Sequence, residues 1–359
     1  MKKLLVVAAL TMAAPMAMAS KARVEALANS RHLVDFQTAF DRPYQFLALS
    51  EQATIEWGAT GNATPHAEGG FIKRHGDDSA FGVYFGRRSA DFSNAVNTAN
   101  AALGAANDHL LLEQNGLNVF YAGKMSDWTY GVTVKYSNGK ADNDGAATPA
   151  TINAKSSSAG LALGITNGTW DVELVQGLTG KSEFDTGTVA AEVESKGLTS
   201  LTVGYHVSPE MEFYGNFKTS KVEGTLPVVG DITVETTSYK VGMVNTLAKS
   251  DEGNFFYGVE VANSKVKDGD ETMTLPVYLG VEHNAASWLV LRASVAQNVI
   301  LNETKEDSGD KSDLDSTVMA AGAGIKFGKS MIDASFKGAA AGVIDANNFF
   351  SNVAYTYTF

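Results

Sequence analysis

The sequence predicts an all-β chain: a transmembrane, antiparallel, up-and-down β-barrel of about sixteen strands, with fourteen as the alternative count, preceded by a short N-terminal periplasmic or plug segment. Three observations predict it. After about residue 50 the apolar residues recur with period two rather than 3.6. Short turns alternate with longer polar connectors without a parity error, as a meander threading a membrane requires. The chain also closes on a two-faced strand, with Val353, Tyr355, Tyr357 and Phe359 on one side and Asn352, Ala354, Thr356 and Thr358 on the other. A soluble β-sandwich would alternate too, but with its apolar face inward. Near-ten-residue segments and the aromatic ending favour the barrel, the closed sheet that leaves no backbone group unpaired in hydrocarbon.

Residues 1–19 read as a secretory signal peptide. Lys2 and Lys3 precede the apolar run Leu4–Leu10, and Ala17-Met18-Ala19 fits cleavage before Ser20. There is no cysteine, so neither a lipid anchor on Cys nor a disulfide framework is expected, which fits a bacterial envelope. No later stretch of about 20 residues is apolar enough for a spanning helix. The expected location is the bacterial outer membrane. The 28 Lys and Arg stand against 40 Asp and Glu, a net charge of −12 that becomes −14 once Lys2 and Lys3 are removed. That balance excludes nucleic acid as a partner, which needs a basic face, and points to a mild preference for cations.

Residues 20–50 lack the period-two pattern. Val24, Leu27 and Arg31 have helical spacing and Pro43 is expected to break the run. Lys21, Arg23, Glu25, Arg31 and Asp35 make the segment a poor match for lipid, so it belongs in the periplasm or in the lumen. Residues 51–359 are the barrel. Its strands centre near residues 56, 72, 83, 120, 132, 161, 174, 203, 214, 240, 259, 279, 293, 322, 335 and 354, those at 72 and 174 being weakest. The connectors read as long and polar include "SNGKADNDGAATPATINAKS", "TGKSEFDTGTVAAEVESKG", "NSKVKDGDETM" and "NETKEDSGDKSDLDS". The longest, residues 88–115, is Ala/Asn-rich and contains Leu110, Leu111 and Leu112. It either folds inward to narrow a channel or forms a surface or subunit-contact loop.

The alternation assigns faces. The expected lumen carries Lys124, Lys135, Glu173, Glu212, Lys218, Lys240, Glu260, Glu282, Arg292, Lys326, Asp333 and Lys337, together with Glu56 and Asp171. Charges at mid-depth on the lipid face would cost about 2–4 kcal/mol for Arg or Lys, so an inward phase is expected of any barrel. Such an interior is either a hydrated pore for small solutes or a solvated lumen closed by ion pairs and a plug. Trp57, Trp128, Trp170, Trp288, Tyr355, Tyr357 and Phe359 are expected at the membrane girdles, in contact with outer-membrane lipid. Outward Ala293, Ala321, Ala323 and Ala334 offer a small-residue face, read as one side of a subunit interface in a homo-oligomer.

No chemistry for catalysis stands out. The six histidines show no metal-ligand spacing, and neither a cofactor nor a metal is expected. "GIKFGKS" lacks the first glycine of a phosphate loop, Ala323 standing there. "DNDG" at Asp142–Gly145 lacks the twelfth-position acid of a calcium loop, which is Asn153.

"RVEALANSRHLVDFQTAFDRPY" and "EGGFIKRHGDDSAFGVYFGRR" resemble the leader and first hairpin of the PopA-like major outer-membrane proteins of predatory Bdellovibrio-like bacteria. The resemblance implies a barrel that assembles into rings enclosing lipid, and so a structural role with little pore activity as the alternative to a diffusion pore. It supplies no site residues. The terminal aromatic strand likewise resembles the signature read by the barrel-assembly machinery, which makes that machinery an expected partner.

Overall fold

The computed structural model describes residues 20–58, 66–104, 110–143, 152–227, 229–250, 252–306, 311–312, 316–339 and 352–359. The proposed signal peptide and the second half of DNDG, residues 144–145, lie outside them. The strands are β1 (Gln52–Gly58), β2 (His66–His75), β3 (Ser79–Phe85), β4 (Leu117–Met125), β5 (Trp128–Asn143), β6 (Ile152–Thr166), β7 (Trp170–Asp185), β8 (Ala190–Ser208), β9 (Met211–Leu226), β10 (Gly230–Ser250), β11 (Gly253–Val266), β12 (Glu271–Ala286), β13 (Leu289–Lys305), β14 (Lys311–Ser312), β15 (Val318–Phe327), β16 (Ser330–Ala339) and β17 (Asn352–Thr358). β14 is a two-residue ladder on the end of β13. The other sixteen form one antiparallel sheet that closes where β1 pairs with both β17 and β2. Both weak segments, near 72 and 174, are strands, which rules out fourteen.

The outer wall is apolar all round. Ile55, Phe81, Val119, Val134, Leu163, Leu201, Phe217, Val241, Leu279, Leu291 and Ile332 face outward and are exposed. A closed sheet with such a band is an outer-membrane barrel: its backbone pairs internally and its apolar side chains meet lipid. Trp57, Trp128, Trp170, Trp288, Tyr357 and Phe359 are exposed at strand ends, and Tyr355 is exposed in the middle of β17. Trp128, Trp170 and Trp288 follow the tight turns at the end that holds Phe359, and Trp57 lies at the other.

Connector length does not separate the two ends as the sequence suggests. At the end opposite Phe359, β7–β8, β9–β10 and β11–β12 are joined by residues 186–189, 227–229 and 267–270 only. Most of the polar sequence read there as loop is strand. β8 and β10 run for 19 and 21 residues, against 7 for β1 and β17. These extensions are polar on the outer face because they rise above hydrocarbon. Lys155–Glu183, Lys181–Glu192, Lys196–Glu223 and Lys221–Glu235 cross from strand to strand there, at 3.0–3.8 Å. Each exposed pair contributes less than about 1 kcal/mol. Their value here is as a marker of where the apolar band stops.

Residues 20–50 lie inside the barrel. They form α1 (Lys21–Ala26), α2 (Phe36–Ala39) and a 3₁₀ helix (Pro43–Ala48). Pro43 starts that helix instead of breaking one, because a first-turn N–H has no intrahelical partner to lose. Ser20 caps α1 and Asp35 caps α2. Phe36, Phe40, Phe46, Leu47 and Leu49 pack against the inward side chains Ile72, Ala80, Tyr84, Phe120 and Ala122. Phe46 stacks on Phe120 with centroids 3.8 Å apart.

The long connector also folds inward. Its helix α3 (Ala90–Leu103) and Leu110 pack on Phe184, Ala191, Val193 and Leu226 near the outer ends of β7–β9. Leu111 and Leu112 join this cluster.

Candidate functional site

Two inserts thus meet inside one barrel, and both are fixed by charge. Arg23 grips Glu282 through Nε at 2.8 Å and Nη2 at 3.1 Å, and its third nitrogen lies 3.2 Å from Asp35. Glu282 is shared with Arg292, whose other arm holds Asp333 at 2.6 Å. Arg31 binds Glu173 through both terminal nitrogens at 3.0 Å and Glu212 through Nε at 2.6 Å, while Tyr44 donates to Glu173 at 2.9 Å. Lys21 reaches Glu68 at 2.7 Å, and Gln37 donates to Glu56 and Glu68 at 2.8 Å. Forked guanidinium–carboxylate pairs fix orientation as well as position. Burial pushes the Asp35 carboxyl up to about 6, against the pull of Arg23.

The wall is shaped to receive the segment. Gly131 and Gly164 face each other in the β5–β6 register on the lumen side. A Cβ on Gly131 would lie 2.3 Å from the Pro43 carbonyl carbon, and one on Gly164 would lie 2.8 Å from Tyr44. Gly204 leaves room in the same way for the Arg31 guanidinium, 3.0 Å from where its Cβ would be.

The residues expected in the lumen all take the inward phase, but they are not a free lining. Glu173, Glu212 and Glu282 hold the plug; Arg292 and Asp333 hold each other; Lys240 pairs with Glu260 at 2.8 Å. Lys218 holds Asp91 of α3 at 2.6 Å, Lys135 holds Glu113 at 2.8 Å, and Lys326 reaches Asn284 at 3.2 Å. Lys124 and Lys337 are exposed towards the two mouths. Outward Ala293, Ala321, Ala323 and Ala334 form one patch: Ala293 pairs with Ala321 and Ala323 with Ala334 across β13, β15 and β16. Exposed Leu291, Met319, Ile325 and Phe336 surround it.

Between the plug and α3 lies a chamber of about 850 Å³. Phe40, Asp41 and Arg42 of the plug, Arg87, Arg88 and the first turn of α3, and inward residues of β4–β10 line it. Eight Lys and Arg line it against five carboxylates, the reverse of the chain's net charge. Sequence reasoning passed over Arg42, Arg87 and Arg88 because none lies on a strand. It also missed a cluster below the plug, where ligand atoms of Asp171, His206 and Glu212 lie within 4.8 Å of one another. His206 and Glu212 pair across the β8–β9 turn, a relation that hairpin register could have disclosed. His206 bonds Asp171 at 2.7 Å and Glu212 is engaged by Arg31, so the cluster is internally satisfied.

No protein-family model matches the chain, and no characterised protein matches it in sequence. Among solved structures it is similar to OmpT, an outer membrane protein of Vibrio cholerae, at 14% identity over 86% of this chain and 96% of that one, with a TM-score of 0.39. The toluene transporter TodX of Pseudomonas putida shares 9% identity over 95% and 98%, at 0.43. The CymD monoaromatic hydrocarbon channel shares 10% over 96% and 98%, at 0.42. Likenesses this distant bear on no substrate or activity of this chain.

Proposed function

We propose that this outer-membrane barrel is a plugged, porin-like channel for small polar solutes, with residues 20–50 as the element that sets its opening. The observation that supports this most is the chamber held between plug and α3, about 850 Å³ and lined by eight Lys and Arg, within the range of small-molecule sites. A sixteen-strand barrel is wide enough for water once its contents move. No catalytic role is proposed. Planar-bilayer recording tests the reading. The full chain is expected to give small, steady openings. Deleting residues 21–45 is expected to raise single-channel conductance several-fold in a barrel that still shifts on heating in gels. Silent membranes from both forms, after verified insertion, would overturn it. A deletion form unable to insert would make the segment part of the wall.

A second reading, assembly into a ring that encloses lipid, draws on the alanine patch and on the PopA-like resemblance. Small side chains let two walls approach closely. Single replacements Ala321→Trp and Ala323→Trp are each expected to convert an oligomer to monomer on native gels, with the barrel still folded. An unchanged oligomer carrying both replacements places the interface elsewhere.

A further inference from the structure

We propose that the chamber is an oxyanion-binding site, with Arg87 and Arg88 as its ligand-binding cations and Asn118 and Thr133 as neutral donors. The inference deepens the channel reading, since it names the solute class that the chamber selects.

Arg87 and Arg88 follow β3, at the start of the long connector. Neither makes an ion pair among the described residues. Arg87 donates Nη1 to the Gln37 amide oxygen at 2.9 Å and lies over the Phe40 ring at 4.6 Å. Arg88 donates Nε to the Glu113 main-chain oxygen at 3.0 Å. Each thus makes one hydrogen bond and keeps further donors. Of the nearby carboxylates, Glu68 already takes Lys21 at 2.7 Å and Gln37 at 2.8 Å, and Glu113 is likewise satisfied. It takes Lys135 at 2.8 Å, the Ser158 hydroxyl and the Ser89 amide at the start of α3.

The wall beside them carries donors that nothing uses. Asn118 stands opposite Lys135 in the β4–β5 register, and Thr133 faces the same way as Lys135 on β5. Their side chains are 2% and 3% exposed, and neither Asn118 Nδ2 nor Thr133 Oγ1 has a hydrogen-bond partner. Ser93 Oγ, on the first turn of α3, is in the same position at 0% exposure. Buried donors are rarely left unpaired, because each costs about 1–3 kcal/mol. Guanidinium forks with neutral donors alongside are what a phosphate or carboxylate group requires.

Isothermal titration of the full-length, detergent-folded protein tests this, with sodium phosphate and sodium acetate as separate probes and sodium chloride as reference. Saturable binding of at least one oxyanion is expected, weakened tenfold or more in Arg87→Gln/Arg88→Gln. Phosphate alone binding would assign the site to tetrahedral anions, and acetate alone to carboxylates. No saturable heat from either, or binding unchanged in the double variant, would overturn the proposal. If that variant does not give a heat-modifiable barrel, Thr133→Val removes one hydroxyl only. It is expected to weaken binding severalfold, and unchanged affinity there would overturn the proposal equally. Membranes that stay silent while titration shows binding would count against the channel and leave the site standing.

Discussion

Arg31→Ala is expected to free the plug. The guanidinium satisfies Glu173 and Glu212 together, and both carboxylates are buried. Removing one partner of a buried ion pair costs about 3–5 kcal/mol, because the other charge is left without compensation. The barrel can avoid that cost by releasing residues 20–50 and letting water reach Glu173 and Glu212. Two measurements check this. Trypsin should cut at Lys21 or Arg23 in the folded variant within a time that leaves the parent intact. Single-channel conductance should approach that of the form lacking residues 21–45. Arg31→Lys should recover only part of the protection, since an ammonium cannot make the two-nitrogen grip on Glu173. A variant as resistant and as quiet as the parent would show that the aromatic packing and the remaining ion pairs of Lys21 and Arg23 retain the plug without Arg31.

Gly131→Val is expected to do the same without touching a charge. Its side chain would overlap the Pro43 backbone, with a carbon 2.3 Å from the carbonyl carbon and 2.4 Å from the oxygen. Overpacking costs about 1–3 kcal/mol where side chains can adjust, and more where the obstacle is backbone. The wall strands are tied by continuous ladders, so the 3₁₀ helix is the part that yields. Fast proteolysis at residues 20–50 and larger openings should follow. Gly215→Ala is the control, because the nearest atom to its new carbon is 3.9 Å away and nothing should change. If Gly131→Val also remains sealed, the seat is not what positions the plug.

Much of this architecture is readable from alternation alone. A period of two fixes which side of each strand meets lipid, and the inward phase of Lys135, Glu173, Glu212, Glu282, Arg292 and Asp333 follows from it. The strand ends were harder. β7 to β10 continue well past the point where apolar residues cease, and above the membrane a strand with two wet faces carries the same composition as a loop. The plug left a trace that was not used. "SAFGVYF" and "NVFYAG" are apolar on both faces, and only one of them can meet lipid. A strand apolar on both faces is covered on both, which calls for an interior element beside β3 and β4. The chamber was unreadable for a different reason. Arg42, Arg87 and Arg88 come from segments without periodicity, and only the three-dimensional path brings them to one wall.

The plug's partners also bear on the order in which the molecule is made. Residues 20–50 precede every strand, yet the first strands supply only part of their partners. Glu25 accepts hydrogen bonds from Ser335 at 2.7 Å and Asn352 at 2.9 Å, on β16 and β17. The Lys21 main-chain nitrogen donates to Glu56 on β1 at 2.6 Å, and Arg23 waits for Glu282 on β12. β1 and β17 meet at the seam where the sheet closes, and the Phe359 amide seals it by donating to the Glu51 carbonyl at 3.1 Å. The complete docking surface therefore exists only after the last strand has joined the first. The segment that precedes the strands completes its contacts only with the last of them.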